Sequence, residues 1–388
     1  MALDRRFTTY LPALDGLRAV AILLVVLSHL GLGRIVPGAF GVTLFFFISG
    51  YLITRQLLGG MARHGRLDFK GFYLRRCLRL MPQAVTYIVV AGLVYSALGG
   101  RITAAGWAAA LLYGANGYDL VGHYGPTLPG VRHPFNILWS LAIEEQFYLL
   151  WPVALVLLPA RCRLPGCLLF CATVLCWRFW LLHHCFGGHA PLVCGPENPN
   201  PLWRYNRLYL ATDARADSLA WGALLALAEQ GGLRWRAPRA GLLILALAFA
   251  WPGPVGRHVL RPALQGLGLL ACFPTLLNAD SPLHRLLSSR PAILLGRLSY
   301  ALYLWHWGAL GAADYAAGDN PTLWLAIAIA LSAALTLFSY AAIEQPMLRL
   351  RRLAGSHVPR NATEAAAAGA PTVAERAQTP GQGTHAAT

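Results

Sequence analysis

The chain has 388 residues and a formal net charge of +16, yet only 12% of its residues are charged and 56% are hydrophobic. Its mean hydropathy is +0.50. This composition excludes a soluble globular protein of this length, because several apolar runs approach the roughly twenty residues that cross a bilayer as a helix. The runs do not alternate in polarity, which excludes a transmembrane β-barrel.

We therefore predict an all-α polytopic membrane protein with about ten transmembrane helices. Residues 1–10 lead into the first apolar run without a small-residue cleavage site, so we expect a retained helix and no signal peptide. An apolar stretch near 104–115 is too short to span and is predicted to be an interfacial or re-entrant helix. The predicted spans lie near residues 12–31, 38–58, 78–98, 138–158, 164–182, 208–228, 239–252, 258–278, 291–312 and 321–343.

The arginines lie in short segments between the apolar runs, a pattern that indicates membrane topology rather than nucleic-acid binding. With ten spans, every main arginine cluster falls on the side of the N-terminus. The positive-inside rule makes that side cytoplasmic, so both termini are predicted inside and the chain is placed in the cytoplasmic (inner) membrane. The clusters are Arg5 and Arg6, Arg55 through Arg79, Arg161 and Arg163, Arg234 to Arg239, Arg285 and Arg290, and Arg349 to Arg352.

We expect one integral membrane domain over residues 1–353. Residues 354–388 are rich in Ala, Gly, Thr and Pro without periodicity, which predicts a disordered cytoplasmic tail. Cys185 and Cys194 share one outward loop, and whether they pair is left open.

Two ionisable side chains lie on the first predicted span. Arg18 and His29 are eleven residues apart, so they fall on nearly the same helix face about 16 Å apart. A lone interior histidine is most often a structural core residue whose ring nitrogens have hydrogen-bond partners. A charged group near the bilayer centre costs about 2.5–3.5 kcal/mol, however, and two such groups on one face predict a shared polar interior. We take that interior as the hypothetical active site.

The inward link that follows the second span carries Arg75, Arg76 and Arg79. Arg76 and Arg79 share a helix face, which we place at the cytoplasmic surface. Anchoring to anionic lipid headgroups is the simplest interpretation. Forked guanidinium groups also suit the phosphates of a cytosolic donor.

The fourth span opens with Trp139, Ser140, Glu144, Glu145 and Tyr148. Adjacent carboxylates on a helix point about 100° apart, so we expect one to face solvent or headgroups and the other to face the bundle. The inward carboxylate is predicted to form an ion pair with a cation such as Arg18, or to act as an acid or base.

Further charge and aromatic groups follow along the chain. Arg215, Asp217 and Glu344 lie at span ends or interiors, where helix–helix hydrogen bonding is the plain alternative to a functional role. The ninth span carries an aromatic-rich stretch with another imidazole, for which interfacial anchoring is the alternative. Its candidate residues are Ser299, Tyr300, Tyr303 and His306.

These motifs together resemble the acyltransferase-3 family of membrane O-acyltransferases, whose members acylate sugars of lipopolysaccharide, exopolysaccharide, peptidoglycan and antibiotics. The matching residues run in family order through nearly the whole membrane region. They are Asp15-Gly16-Leu17-Arg18…His29, Gly41…Phe45-Phe46…Ser49-Gly50, Arg76-x-x-Arg79, Trp139-Ser140-Leu141-x-x-Glu144-Glu145-Gln146-Phe147-Tyr148, Arg215-x-Asp217, Ser299-Tyr300-x-x-Tyr303-x-x-His306 and Ile343-Glu344-x-Pro346.

The resemblance implies transfer of an acyl group, often acetyl, from cytosolic acyl-coenzyme A to a hydroxyl, commonly on the outer face. It implies that His29 is catalytic, that Arg18 is its basic partner and that Arg76 and Arg79 form the cytoplasmic arginine motif. The chain departs from the family pattern at Thr43, where an acidic residue is usual, and at Gln345, where an arginine is usual. We expect no soluble esterase-like (SGNH-type) domain after the last span, and we therefore expect acceptor handling in the outer loops or in partner proteins.

We therefore predict an O-acyltransferase that acts on an envelope polysaccharide or glycoconjugate, with His29 as general base. The expected partners are acyl-coenzyme A, a carbohydrate acceptor and the lipid bilayer, without a metal or nucleic acid. A transporter or flippase is the main alternative, since intramembrane charge also marks substrate pathways, although no internal repeat supports it. A structural membrane protein would leave the aligned Arg18 and His29 unexplained. The acceptor, the acyl length, direct transfer against an acyl-enzyme, and the oligomeric state are open.

Overall fold

A computed structural model describes residues 10–120, 124, 127–186 and 201–353, and within these ranges the chain is helical without strands. Three helices are interrupted or extended by π-helical turns at Ser28–Leu32, Val255–Leu260 and Tyr340–Glu344. The helices are α1 (Pro12–Leu27), α2 (Gly38–His64), α3 (Phe69–Ala97), α4 (Ala104–Leu111), α5 (Ala115–Leu120), α6 (Leu138–Leu157), α7 (Ala160–Phe186), α8 (Pro201–Leu210), α9 (Thr212–Arg215), α10 (Asp217–Gln230), α11 (Pro238–Ala250), α12 (Arg261–Leu276), α13 (Pro282–Leu287), α14 (Arg290–Ala316), α15 (Pro321–Ser339) and α16 (Gln345–Leu353).

The chain is a multi-pass α-helical membrane protein, as predicted. Seven of the described helices are long and apolar enough to cross a membrane. Nine of the ten predicted spans each coincide mainly with one helix, whereas the sixth, 208–228, is divided among α8, α9 and α10. Helices α10 and α11 are shorter than a full crossing, and the longer α14 falls outside the seven. The count of ten and the cytoplasmic termini stay predictions. The predicted disordered tail and the pairing of Cys185 with Cys194 lie outside the described residues and side chains.

The short apolar stretch near 104–115 forms α4, which has only eight residues, followed by α5. A helix of that length rises about 12 Å, far less than the roughly 30 Å hydrocarbon core. The prediction that this stretch does not span as a single helix is therefore confirmed. Thr103 caps α4 by accepting a hydrogen bond from the Gly106 backbone N–H.

Helix α3 begins nine residues before the predicted third span. Asp68 caps it, with Oδ1 accepting a hydrogen bond from the Gly71 N–H at 2.9 Å. The arginine-rich segment is therefore helical and continuous with the membrane-spanning part of α3.

Glycines set the distance between the central helices. A Cβ added to Gly16 of α1 would overlap with the Leu287 backbone, and one added to Gly296 of α14 would overlap with the Asp15 backbone. Close approach of this kind is typical of membrane helix interfaces with small residues. As a result, α1 and α14 lie in contact from the level of Asp15, and their later turns place two histidines side by side.

The π-helical turn Ser28–Leu32 ends α1, and Gly31 within it has φ +100°. Only glycine adopts this backbone conformation without strain. Single π turns occur frequently at functional sites. This one carries His29.

Candidate active site

The central feature of the candidate site is a pair of imidazoles from α1 and α14. His29 Nδ1 lies 3.0 Å from His306 Nε2, and the two rings are stacked with centroids 5.3 Å apart. His306 is 1% exposed, whereas His29 is only half-buried. The sequence singled out both residues, but it did not predict that they are partners.

The hydrogen bonds fix the protonation pattern of the pair. His306 Nδ1 donates to the Leu302 carbonyl oxygen at 2.8 Å, since a carbonyl can only accept. A neutral His306 therefore has an unprotonated Nε2, which accepts the hydrogen bond from His29 Nδ1–H. A neutral His29 then carries a free lone pair on Nε2, for which the described residues supply no donor. That is the tautomer a general base requires.

An ion pair lies beside the imidazoles. Arg132, from the segment before α6, donates to Asp314 of α14 through Nε at 2.6 Å and Nη2 at 3.0 Å. Its guanidinium lies 5.0 Å from the Trp307 ring, which in turn contacts the His29 ring at 5.0 Å. A doubly protonated His306 would add a cation close to Arg132. The neutral pair described above avoids that repulsion.

The second feature is a narrow cavity of about 70 Å³ between α1, α2, α3, α6 and α14. Its polar walls combine three guanidinium groups with one carboxylate. The predicted site residues that line it are Arg18, Ser49, Arg76, Arg79, Ser140, Glu144, Tyr148, Ser299, Tyr300 and Tyr303. The structure thus brings ten of the predicted residues together. His29 does not line this cavity, so Arg18 and His29 have separate surroundings despite their shared helix face.

The two carboxylates of α6 differ from the sequence expectation. Glu144 lines the cavity and accepts a hydrogen bond from Ser49 Oγ at 2.8 Å, and within the described chain it forms no salt bridge with Arg18. Glu145 is half-buried among Arg76 and Tyr113 and does not face open solvent. That one carboxylate faces the headgroups stays a prediction, and α3 brings the Arg76 cation close to both of them.

The three arginines of α3 separate into two groups. Arg76 stacks on the Tyr148 ring at 3.7 Å, and it lines the cavity together with Arg79. Arg75 points back along the helix to Asp68, with an N–O distance of 3.6 Å. The early start of α3 places Arg76 against Tyr148 of α6, while the cytoplasmic position of Arg76 and Arg79 stays a prediction.

Several other candidates hold helices together around the cavity. Ser140 hydrogen-bonds Tyr303, whose hydroxyl also donates to the Ile137 carbonyl at 3.3 Å. Tyr300 donates to the Leu80 carbonyl of α3 at 3.0 Å, and Ser299 donates to the Gly296 carbonyl within its own helix at 2.7 Å. The wall of the cavity nearest α14 is fixed by these bonds.

The remaining candidates lie outside the cavity. Asp15 accepts from Tyr10 at 2.6 Å and lies 3.9 Å from Arg297, while Glu344 accepts from Gln83 at 3.3 Å. Trp139 packs on Tyr209 with ring centroids 4.7 Å apart.

Arg215 and Asp217 do not pair with each other. Asp217 accepts two hydrogen bonds from Arg178 of α7, at 2.9 and 2.8 Å, and both side chains are fully buried. Arg215 donates to Thr43 at 3.1 Å.

Comparison with known proteins identifies the family of this chain. The family model described as "Acyltransferase domain" (Acyl_transf_3) matches residues 11–343. The chain belongs to the acyltransferase-3 family. No solved structure matches the chain.

Curated members of the family are similar over most of this chain. "Putative peptidoglycan O-acetyltransferase YrhL" of Bacillus subtilis (strain 168) is 30% identical over 374 residues, which covers 87% of this chain and 55% of that protein. "O-acetyltransferase OatA" of Staphylococcus aureus (strain MRSA252) is 28% identical over 382 residues, which covers 92% of this chain and 60% of that protein. The chain therefore spans less than two thirds of the length of these relatives.

In this acyltransferase-3 chain the structure adds residues that the sequence interpretation passed over. Arg178 interrupts the apolar run of the fifth predicted span, which is itself a signal of function or pairing. Arg132 and His133 gave no such signal, because they lie in a polar segment. Burial lowers the pKa of His133 to about 4, so its ring is neutral at pH 7. Its carbonyl accepts from Trp307 Nε1 at 3.0 Å, which ties this segment to α14 beside His306.

A larger cavity of about 500 Å³ lies on the opposite side of α2. Its lining includes Tyr51, Arg55 and Glu229, where Tyr51 donates to Glu229 at 2.9 Å and accepts from Arg55 at 3.1 Å. None of the residues that carry the family resemblance lines it. We therefore assign the candidate active site of this acyltransferase-3 chain to the histidine pair and the narrow cavity.

Proposed function

We propose that the protein is an O-acyltransferase of the cytoplasmic membrane, which moves an acetyl group from cytosolic acetyl-coenzyme A to a sugar hydroxyl in a cell-envelope polysaccharide or glycoconjugate. Membership of the acyltransferase-3 family supports the reaction class. The relatives named O-acetyltransferases support the acetyl group. The observation that carries the proposal is the His29–His306 hydrogen bond, which leaves His29 Nε2 free to accept a proton.

In the proposed reaction, His29 Nε2 removes the proton of the acceptor hydroxyl as its oxygen attacks the thioester carbonyl carbon. The C–S bond then breaks, and the imidazolium returns the proton to the departing coenzyme A thiolate. His306 keeps an acceptor nitrogen on His29 Nδ1–H throughout, which holds the ring and stabilises its cationic form. Direct transfer needs no acyl-enzyme, and atoms and charge balance without a metal.

The donor is proposed to bind from the inner side. Arg18, Arg76 and Arg79 converge on the cavity, where forked guanidinium groups suit the phosphates of coenzyme A. Arg18 and His29 are about 16 Å apart along α1, a distance that an extended pantetheine arm bridges. At about 70 Å³ the cavity is narrower than such an arm, so its side chains must move outward on binding.

The donor assignment predicts different effects for two neighbouring arginines. Arg76→Gln removes a cavity guanidinium and is expected to raise the KM for acetyl-coenzyme A about 10- to 100-fold, the usual cost of one charged hydrogen bond. Arg75→Gln loses only an exposed contact with Asp68 and should change KM by less than about threefold. Initial rates in membranes decide this, and equal effects of the two variants would contradict the assignment.

His306 is proposed to position His29 through its acceptor nitrogen. His306→Leu removes that acceptor and is expected to lower kcat about 10- to 100-fold while the donor KM stays unchanged. His306→Gln places an amide oxygen near the lost Nε2 and should recover much of the rate. A purely structural role for His306 would instead affect both variants alike and reduce the protein level.

The reaction class itself is tested by coenzyme A release. Membranes that contain the protein receive acetyl-coenzyme A with and without envelope oligosaccharides, and free thiol is measured over time. The proposal expects release that depends on the acceptor, together with an ester on the recovered glycan. Movement of glycan across the membrane without thiol release would contradict it and favour a transporter.

A further inference from the structure

Arg215 is a buried cation without a carboxylate of its own. The side chain is 2% exposed, and Nη2 donates to Thr43 Oγ1 at 3.1 Å. The guanidinium otherwise faces the rings of Tyr209 at 5.3 Å and Phe46 at 5.8 Å. Its Nε is buried and has no hydrogen-bond partner among the described residues.

The surrounding charges do not balance. The nearest carboxylate, Asp217, is already bound at both oxygens by Arg178, and both of these side chains are fully buried. Two guanidinium groups thus share one carboxylate, which leaves one positive charge in the bundle interior. Arg132, in contrast, has an acid within 2.6 Å. A buried charge without a counter-ion is energetically costly. In the interior of a membrane protein, such a charge indicates a site where an anion binds.

Helix packing places Arg215 between the donor side and the histidine pair. Gly38 of α2 lies against Ser28, and Gly41 lies against Ala21 and Val25. Thr43 is five residues past Gly38, so it lies about 8 Å from the level of Ser28 along the helix axis, towards the end of α1 that carries Arg18. The Arg215 guanidinium, which is bound to Thr43, is therefore closer to His29 along the α1 axis than Arg18 is.

The guanidinium also lies directly behind the wall of the narrow cavity. Val42, which precedes Thr43 on α2, and Phe46, which is three residues further along, both line that cavity. The Phe46 ring is the same ring that lies against Arg215. The Phe46 ring therefore separates the Arg215 guanidinium from the narrow cavity.

We propose that Arg215 binds a carboxylate of the acceptor, so that the preferred acceptor is an acidic sugar with its carboxylate near the acylated hydroxyl. This inference rests on the proposed function. A single guanidinium with a free Nε, caged by two aromatic rings, matches one planar monovalent carboxylate. The multiply charged donor phosphates have the three arginines of the narrow cavity instead.

The test uses Thr43, because an acid at this position would occupy the guanidinium. Wild type, Thr43→Asp and the control Thr43→Ser are compared in acceptor-dependent coenzyme A release. The acceptors are glucuronic acid oligosaccharides and the same oligosaccharides with methyl-esterified carboxyls. We expect wild type to favour the acidic form by about tenfold or more in kcat/KM, as for one charged hydrogen bond. Thr43→Asp should bring the ratio to about one, and Thr43→Ser should keep it.

The outcomes separate this inference from the proposed function. Release with both acceptors at equal kcat/KM in wild type overturns the acidic subsite alone. A preference that survives Thr43→Asp also overturns it. Release with neither acceptor contradicts the proposed function as well. Thermal unfolding in detergent supplies a second measurement, in which glucuronate should raise the midpoint of wild type but not of Thr43→Asp.

Discussion

Replacement of His29 with glutamine is expected to lower the rate of acetyl transfer by about 10²- to 10⁴-fold, the usual contribution of a general base. Glutamine keeps a polar group that can donate to His306 Nε2, so the α1–α14 contact persists. It cannot accept and return a proton at neutral pH. The measurement is acceptor-dependent coenzyme A release at matched protein levels in membranes.

The control is His183→Gln, which changes an exposed histidine at the end of α7. It should leave the rate within about twofold of wild type, because surface substitutions rarely matter. Wild-type activity of His29→Gln would end the general-base proposal. A loss in both variants would point to a general effect on the protein.

The second large effect concerns stability. Asp217→Asn is expected to cost about 3–5 kcal/mol of unfolding free energy, because it leaves Arg178 buried without a counter-charge. A double variant, Arg178→Met with Asp217→Leu, removes both charges and should recover most of the loss. The apparent midpoint of thermal unfolding in detergent, measured with the folded yield, reports the order of the variants.

A surface ion pair provides the comparison for that experiment. Asp213→Asn breaks the contact with Arg207, in which the Asp213 side chain is 47% exposed. Exposed pairs contribute only about 0–1 kcal/mol, so the midpoint should change little. Equal destabilisation by the two Asp→Asn changes would contradict the role assigned to burial.

Apolar periodicity and length were sufficient to predict that the helices exist, but not where each helix begins. The third predicted span started at residue 78, where the apolar run begins, whereas α3 begins at Phe69. A hydropathy window assigns an arginine-rich helical turn to the loop between spans, because the charges lower its mean hydropathy. The Asp68 cap and the contact of Arg76 with Tyr148 make it part of the helix. The early start also brings the arginines beside Glu144.

The contact between His29 and His306 could not be predicted from the sequence, for a different reason. Each imidazole could be identified as an unusual group in an apolar helix. Their separation of 277 positions gives no local signal of contact, however. The contact depends on the close approach of α1 and α14 at Gly296, and a single sequence does not show which glycines face a neighbouring helix.

The close approach at Gly296 also acts as a fulcrum. His306 lies ten residues further along α14, a lever arm of about 15 Å. A change of about 10° in the crossing angle of α1 and α14 about that point would move the imidazole by about 2.6 Å. That displacement breaks a hydrogen bond of 3.0 Å and frees His29 to take the wrong tautomer. We therefore expect bilayer thickness, which biases helix tilt, to change the rate of transfer through the His29–His306 hydrogen bond.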